Sequence, residues 1–209
     1  MTKNQVPSSI KDEALVEKRR EQMVKGAVTL FTEKGFHKTT TREIAKAAGF
    51  SIGTLYEYIR KKEDVLFLVC DSMYERVKER MEDSIDQNET SIDNLVCAVR
   101  SYFTLMDDMQ NEVVVMYQEV KSLSKDAQDY VLQKERDMVA MLEKVIINSL
   151  PNQLLEGDTA LIANNIFVQG QMWGFRRWML QRTFTLQTYT DRQIHLLLQG
   201  LNVQEANLS

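Results

Sequence analysis

Residues 40–66, TTREIAKAAGFSIGTLYEYIRKKEDVL, decide the fold. Thr40 and Glu43 stand three apart, the spacing at which a hydroxyl and a carboxylate satisfy the open N–H groups that begin a helix. They predict a short helix, REIAKAA, closed by Gly49. Ser51 is a good N-cap for a second short helix, IGTLYEYI. Ala45 and Ala48 are small enough for close helix approach, Ile44 and Leu55 supply a small core, and Gly49 lets the backbone turn where a side chain would clash. Two short helices joined by a tight turn read as a helix-turn-helix. In that motif the second helix presents its first residues to base edges in the DNA major groove.

Working toward the N-terminus, Val24, Ala27, Val28 and Phe31 recur at helical spacing from about Asp12, and Gly35 stops the helix. Residues 1–11 read as a flexible tail. Toward the C-terminus, Arg60-Lys61-Lys62 forms a basic turn into a long connecting helix over 63–87. Further helices are predicted near 90–107, 109–121, 124–149, 158–182 and 186–203, with Pro151 and Gly157 as breaks. No alternating strand is visible, so the fold class is all-α: a three-helix head at 12–62 and a helical body at 63–209.

Charge is divided along the chain. The net charge is −4, yet residues 1–64 hold thirteen Lys and Arg against nine Asp and Glu, a local +4, which leaves −8 on the remainder. A basic head on an acidic body suits a localised DNA-binding domain. Cys70 and Cys97 form no metal-ligand spacing with each other or with His37 and His195, which argues against a zinc site or a disulfide framework. The first residues lack a signal peptide and no apolar run has the length of a membrane span, so a cytoplasmic protein without a membrane partner is expected. No cofactor is expected.

The stretch from Thr40 to Leu66, with GAVTLFTEKGFHKTT before it, resembles the DNA-binding signature of the tetracycline-repressor (TetR/AcrR) family over about residues 15–70. The resemblance implies roles at matching positions. Arg42 would reach a base or phosphate, and Thr41 would help cap the helix and touch phosphate. Ile52, Gly53 and Thr54 would face the groove, Gly53 by letting the backbone come close and Thr54 by its hydroxyl or methyl. Ile52 departs from the polar residues usual there and could meet a thymine methyl or nothing. Tyr56 and Tyr58 would clamp the sugar-phosphate backbone, and Lys62 would pair with a phosphate at a helix start.

The resemblance also implies that the body binds a small-molecule effector and forms a homodimer through its last two helices. Apolar residues on those helices include Ile162, Ile166, Trp173, Leu186, Tyr189, Leu197, Leu198 and Leu201. Two heads then present recognition helices about 34 Å apart to a palindromic double-stranded operator. Met106, Met109 and Met116 suit either an adaptable pocket or ordinary core. Gly170 and Gly174 allow close helix approach or room for a ligand. Arg176 and Arg177, among aromatics that include Trp173, need acidic partners. These could be Asp107, Asp108, Glu119 or another subunit, or else an anionic ligand headgroup of a fatty acyl-CoA type.

Gly49-Phe50-Ser51-Ile52-Gly53 also satisfies G-x-S-x-G, the nucleophile elbow of esterases. That chemistry needs a strand before the serine, and here the preceding residues are helical. The chain is therefore expected not to be an enzyme. Two regulator readings stand: ligand-responsive, with repression as the usual outcome, or a constitutive DNA-binding protein with a filled body.

Overall fold

A computed structural model describes residues 6, 8–86, 89–150 and 157–201. Among these, every regular element is helical. α1 (Glu13–Lys34) starts at Asp12, whose carboxylate accepts from Leu15 N, and stops at Gly35, where φ is 84°. α2 (Thr41–Ala47) starts at the expected Thr40–Glu43 box, with both reciprocal bonds present. α3 (Ile52–Tyr56) starts at Ser51, whose hydroxyl accepts from Thr54 N. It is shorter than predicted because the backbone tightens after Tyr56, where Glu57 N donates to Thr54 O at 3.2 Å and Tyr58 N to Leu55 O at 3.0 Å.

α4 (Lys62–Ser84) opens beside Asp64, which accepts from the backbone N–H groups of Arg60 and Lys61 at 2.8 and 3.1 Å. α5 (Ile92–Asp108) and α6 (Gln110–Glu119) follow, then a short 3-10 turn (Val120–Ser122) and α7 (Lys125–Ser149). The predicted helix over 158–182 is two helices, α8 (Asp158–Phe175) and α9 (Arg177–Leu180), parted at Arg176. Gly170 and Gly174 lower the helix propensity of the preceding turn. α10 (Leu186–Gly200) begins at a second capping box, Thr185 with Thr188.

Part of the stretch read as a tail is fastened down. Val6 is buried and its carbonyl accepts from Arg20. Ser9 N and the hydroxyls of Ser8 and Ser9 donate to Glu57 O at 2.9, 3.1 and 3.2 Å, which satisfies a carbonyl at the end of α3. Residues 1–5 and 7 lie outside the described set.

The chain forms two compact units. The first joins Met1–Arg76 with Asn111–Glu135. Its core holds Met23, Ala27, Phe31, Ile44, Leu55 and Leu66. α7 meets α4 there through polar bonds. Tyr130 Oη donates to Asp71 Oδ1 at 2.7 Å, Tyr74 Oη donates to Glu135 Oε2 at 3.2 Å, and Lys134 pairs with Glu75. Burial and the bond to Asp71 push the Tyr130 phenol up to about 12.

The second unit joins Val77–Gln110 with Arg136–Ser209. The Tyr102 ring stacks on Phe167 at 5.4 Å, and its hydroxyl donates to Phe167 O at 3.0 Å. Gly170 lies against that ring: a Cβ there would come 2.4 Å from Tyr102 Cε1. Close helix approach is thus what Gly170 provides. Trp173 is buried while Trp178, on α9, is 65% exposed.

Candidate nucleic-acid interface

The head brings most of the expected contact residues to its surface. α1 and α2 approach closely because position 26 is glycine, where a Cβ would meet Ala47 Cβ at 3.0 Å and Ala48 N at 3.2 Å. Phe50 N donates to Ala45 O at 2.8 Å across the α2–α3 turn, and the Arg19 guanidinium stacks on the Phe50 ring at 4.9 Å. α2 is braced by Glu43, whose carboxyl is held down at about 2 by its bonds to Lys34 and Thr40. Gly26, Arg19 and Phe50 were missed in the sequence, because each acts through a partner remote in the chain.

On this frame Arg42 and Gly53 are exposed, and Thr41, Ile52 and Thr54 are half-exposed. Tyr56 is 51% exposed. Its hydroxyl lies 3.1 Å from that of Thr41, which ties the start of α2 to the end of α3. The cap of α2 is made by Thr40, so Thr41 keeps its hydroxyl for Tyr56. A Cβ on Gly53 would meet only Ser51 Oγ, at 3.6 Å, so the backbone there is open to a ligand. Ser51, the serine of the G-x-S-x-G match, serves as the α3 cap and lies 3.0 Å from the Thr54 hydroxyl. Lys46 is a further exposed cation one turn beyond Arg42, on the same face of α2. The four-residue spacing was the signal for it.

Two of the expected contact residues face inward. Tyr58 is 3% exposed, so its ring is core of the head and not a clamp on the sugar-phosphate backbone. Lys62 directs its ammonium inward, onto the carbonyls of Phe36, His37 and Thr39.

The expected ligand residues fall in both units. Met106, Met109 and Trp173 are buried in the second unit, and Met116 is buried in the first. Trp173 Nε1 donates to Asp107 Oδ1 at 2.6 Å, and that carboxylate also accepts from Gln110. Arg177 is half-exposed, and Arg176, also half-exposed, donates to Met179 Sδ at 3.5 Å. A surface groove of about 320 Å³ lies between α8 and α10, lined by residues that include Ile162, Ile166, Gln169, Gln193, Leu196 and Leu197. None of the six expected ligand residues lines it.

The apolar face expected for pairing is also corrected in part. Ile166, Trp173, Tyr189 and Leu198 are buried within the chain, whereas Leu161, Val168 and Leu196 stand 62%, 49% and 61% exposed. α8 is apolar on more than one side, so its sequence pattern alone does not say which face turns inward.

Residues 24–69, from the middle of α1 into α4, match the family of bacterial regulatory proteins described as the tetR family. The head is thus a TetR-type DNA-binding domain. The HTH-type transcriptional regulator HbdR of Aromatoleum sp. (strain CIB) is 28% identical over 195 residues, 93% of this chain and 85% of HbdR. A tetR-family regulatory protein from Rhodococcus RHA1 shares the fold with a TM-score of 0.79 at 21% identity, covering 90% of this chain and 98% of that one. AibR, solved in complex with isovaleryl coenzyme A and operator DNA, shares it with a TM-score of 0.71 at 19% identity, over 85% of this chain and 97% of AibR. These likenesses extend beyond the TetR-type head into the helical body. No described helix is long and apolar enough to cross a membrane, and the described residues hold no cluster of metal-ligating side chains.

Proposed function

We propose that this chain is a ligand-responsive transcription regulator of the TetR family, acting as a repressor that leaves a palindromic operator when an effector binds. The observation that carries the reading is the row of exposed Arg42, Gly53 and Tyr56 with half-exposed Thr41 and Thr54 across α2 and α3. A cation, hydroxyls and an open glycine backbone on two short helices have the chemistry needed for phosphate oxygens and base edges.

In this reading residues 12–62 carry the DNA contacts, and residues 63–209 carry effector binding and pairing. A second copy of the chain covers Leu161, Val168 and Leu196, since burying exposed leucine and valine is favourable by roughly 25 cal/mol per Å². The effector is an acyl-CoA. AibR's ligand supports that class, as does the acid-free stretch from Thr159 to Thr190, which holds Arg176, Arg177 and Arg182. Release requires the effector to prefer one spacing of the two heads over the other.

A constitutive DNA-binding protein is the second reading. It is favoured by the close packing of Met106, Met109 and Trp173, which fill part of the body. Selection of bound sites from random duplexes, repeated with isovaleryl-CoA and longer acyl-CoAs, separates the two. A palindrome lost on adding one compound supports the first reading. A palindrome unaffected by every compound supports the second, and failure to enrich any duplex removes both.

A further inference from the structure

Lys62 opens α4 at the position where the family resemblance implies a phosphate contact, but its surroundings give it another task. The ammonium donates to Phe36 O at 2.7 Å, Thr39 O at 2.9 Å and His37 O at 3.3 Å, and it rests 4.3 Å from the centroid of the Phe36 ring. A lysine ammonium has three N–H bonds, and three carbonyls account for them all.

Those carbonyls belong to the turn between α1 and α2. The turn has a defined shape. Gly35 leaves α1 at positive φ, and the buried Thr39 donates its hydroxyl to Gly35 O at 2.9 Å. It runs directly into Thr40, the cap of α2, and then into Thr41 and Arg42. Thr41 is bonded in turn to Tyr56 of α3. Whatever fixes this turn therefore fixes the residues at the head's surface.

We infer that Lys62 is a positioning residue for operator recognition: it places Thr41 and Arg42 by gripping the α1–α2 turn from within, and it gives no N–H to phosphate. The inference rests on the operator-binding reading above. It makes an unusual demand on the substitution to arginine. A phosphate contact tolerates that change, because the charge and donors remain. Three carbonyls gathered round one nitrogen do not, because a guanidinium is a planar fork.

The test uses full-length wild type, Lys62→Arg and Lys62→Met with a selected operator duplex. Affinity is measured over a salt series below the melting temperature of each variant. Both variants are expected to bind about tenfold more weakly, with the slope of log affinity against log salt unchanged. In wild type labelled with ¹⁵N-lysine, the Lys62 ammonium should give a slowly exchanging signal that stays in place when operator is added.

Wild-type affinity for Lys62→Arg overturns the inference. So does a slope reduced by about one ion in Lys62→Met, the mark of a lost phosphate contact. A lower melting temperature with unchanged affinity overturns it as well, since the role is then structural only. If a variant fails to fold, the wild-type ammonium signal decides: broadening in the free protein, or a coupling to ³¹P in the complex, is fatal. Wild type that binds no duplex removes the operator reading itself, whereas a tight complex indifferent to Lys62 removes this inference alone.

Discussion

Tyr56 and Tyr58 are two residues apart and have opposite fates. Tyr56 is half-exposed and bonded to Thr41, while Tyr58 is sealed in the core. Replacing Tyr56 by alanine should weaken operator binding without moving the urea midpoint. Replacing Tyr58 by alanine should cost about 3 kcal/mol of stability, the usual penalty for deleting a buried aromatic. Urea melts and operator titration of both variants check this pair. Equal losses of stability would mean that the two rings share one environment. The sequence did not separate them, because burial is set by what lies over a residue. The carbonyl partners of Lys62 were not legible for the same reason: they lie 23 to 26 positions earlier in the chain.

Helix starts were the most legible elements, because a cap is a local device. Thr40, Ser51 and Glu43 show where α2 and α3 begin from side-chain chemistry within four residues. Glu43 also makes α2 sensitive to acid. Its carboxyl titrates at about 2 in the fold, against an ordinary 4.5. A lowered folded value means that its stabilisation is whole above about pH 4.5 and is lost as pH falls toward 2. Urea midpoints between pH 5 and 2.5 should fall more steeply for wild type than for Glu43→Gln, and parallel curves would exclude this role. The end of α8 was not legible, because Gly174 lowers helix propensity without fixing the residue at which a helix stops. Gly170 is a different case, since its spacing from Gly174 suggested close packing and the Tyr102 ring supplies the reason. Gly170→Ala must displace a ring that is both stacked and hydrogen-bonded. It should lower stability by about 1–3 kcal/mol, read from the melting temperature, and an unchanged value would mean that α5 and α8 yield freely.

At the scale of the whole molecule, the head was readable and the body was not. The head follows local rules of caps, turns and spacing. The body depends on which side of each apolar helix faces inward, and α8 gives no single answer. Exposed Leu161 and Val168 on α8 and Leu196 on α10 supply the next test. Leu196→Arg, alone or with Leu161→Arg, should convert a dimer to monomers in size-exclusion chromatography with light scattering. Operator affinity should fall with it, since one head cannot span two half-sites. Variants that remain dimeric would place the pairing surface elsewhere.

The chain carries two tryptophans in opposed settings, Trp173 at 2% exposure and Trp178 at 65%. Its ultraviolet emission is therefore already split into two channels. Iodide should quench the long-wavelength part, from α9, and leave the blue part from the indole held by Asp107. Added compounds can thus be assigned to the surface or the interior of the second unit without attaching a dye.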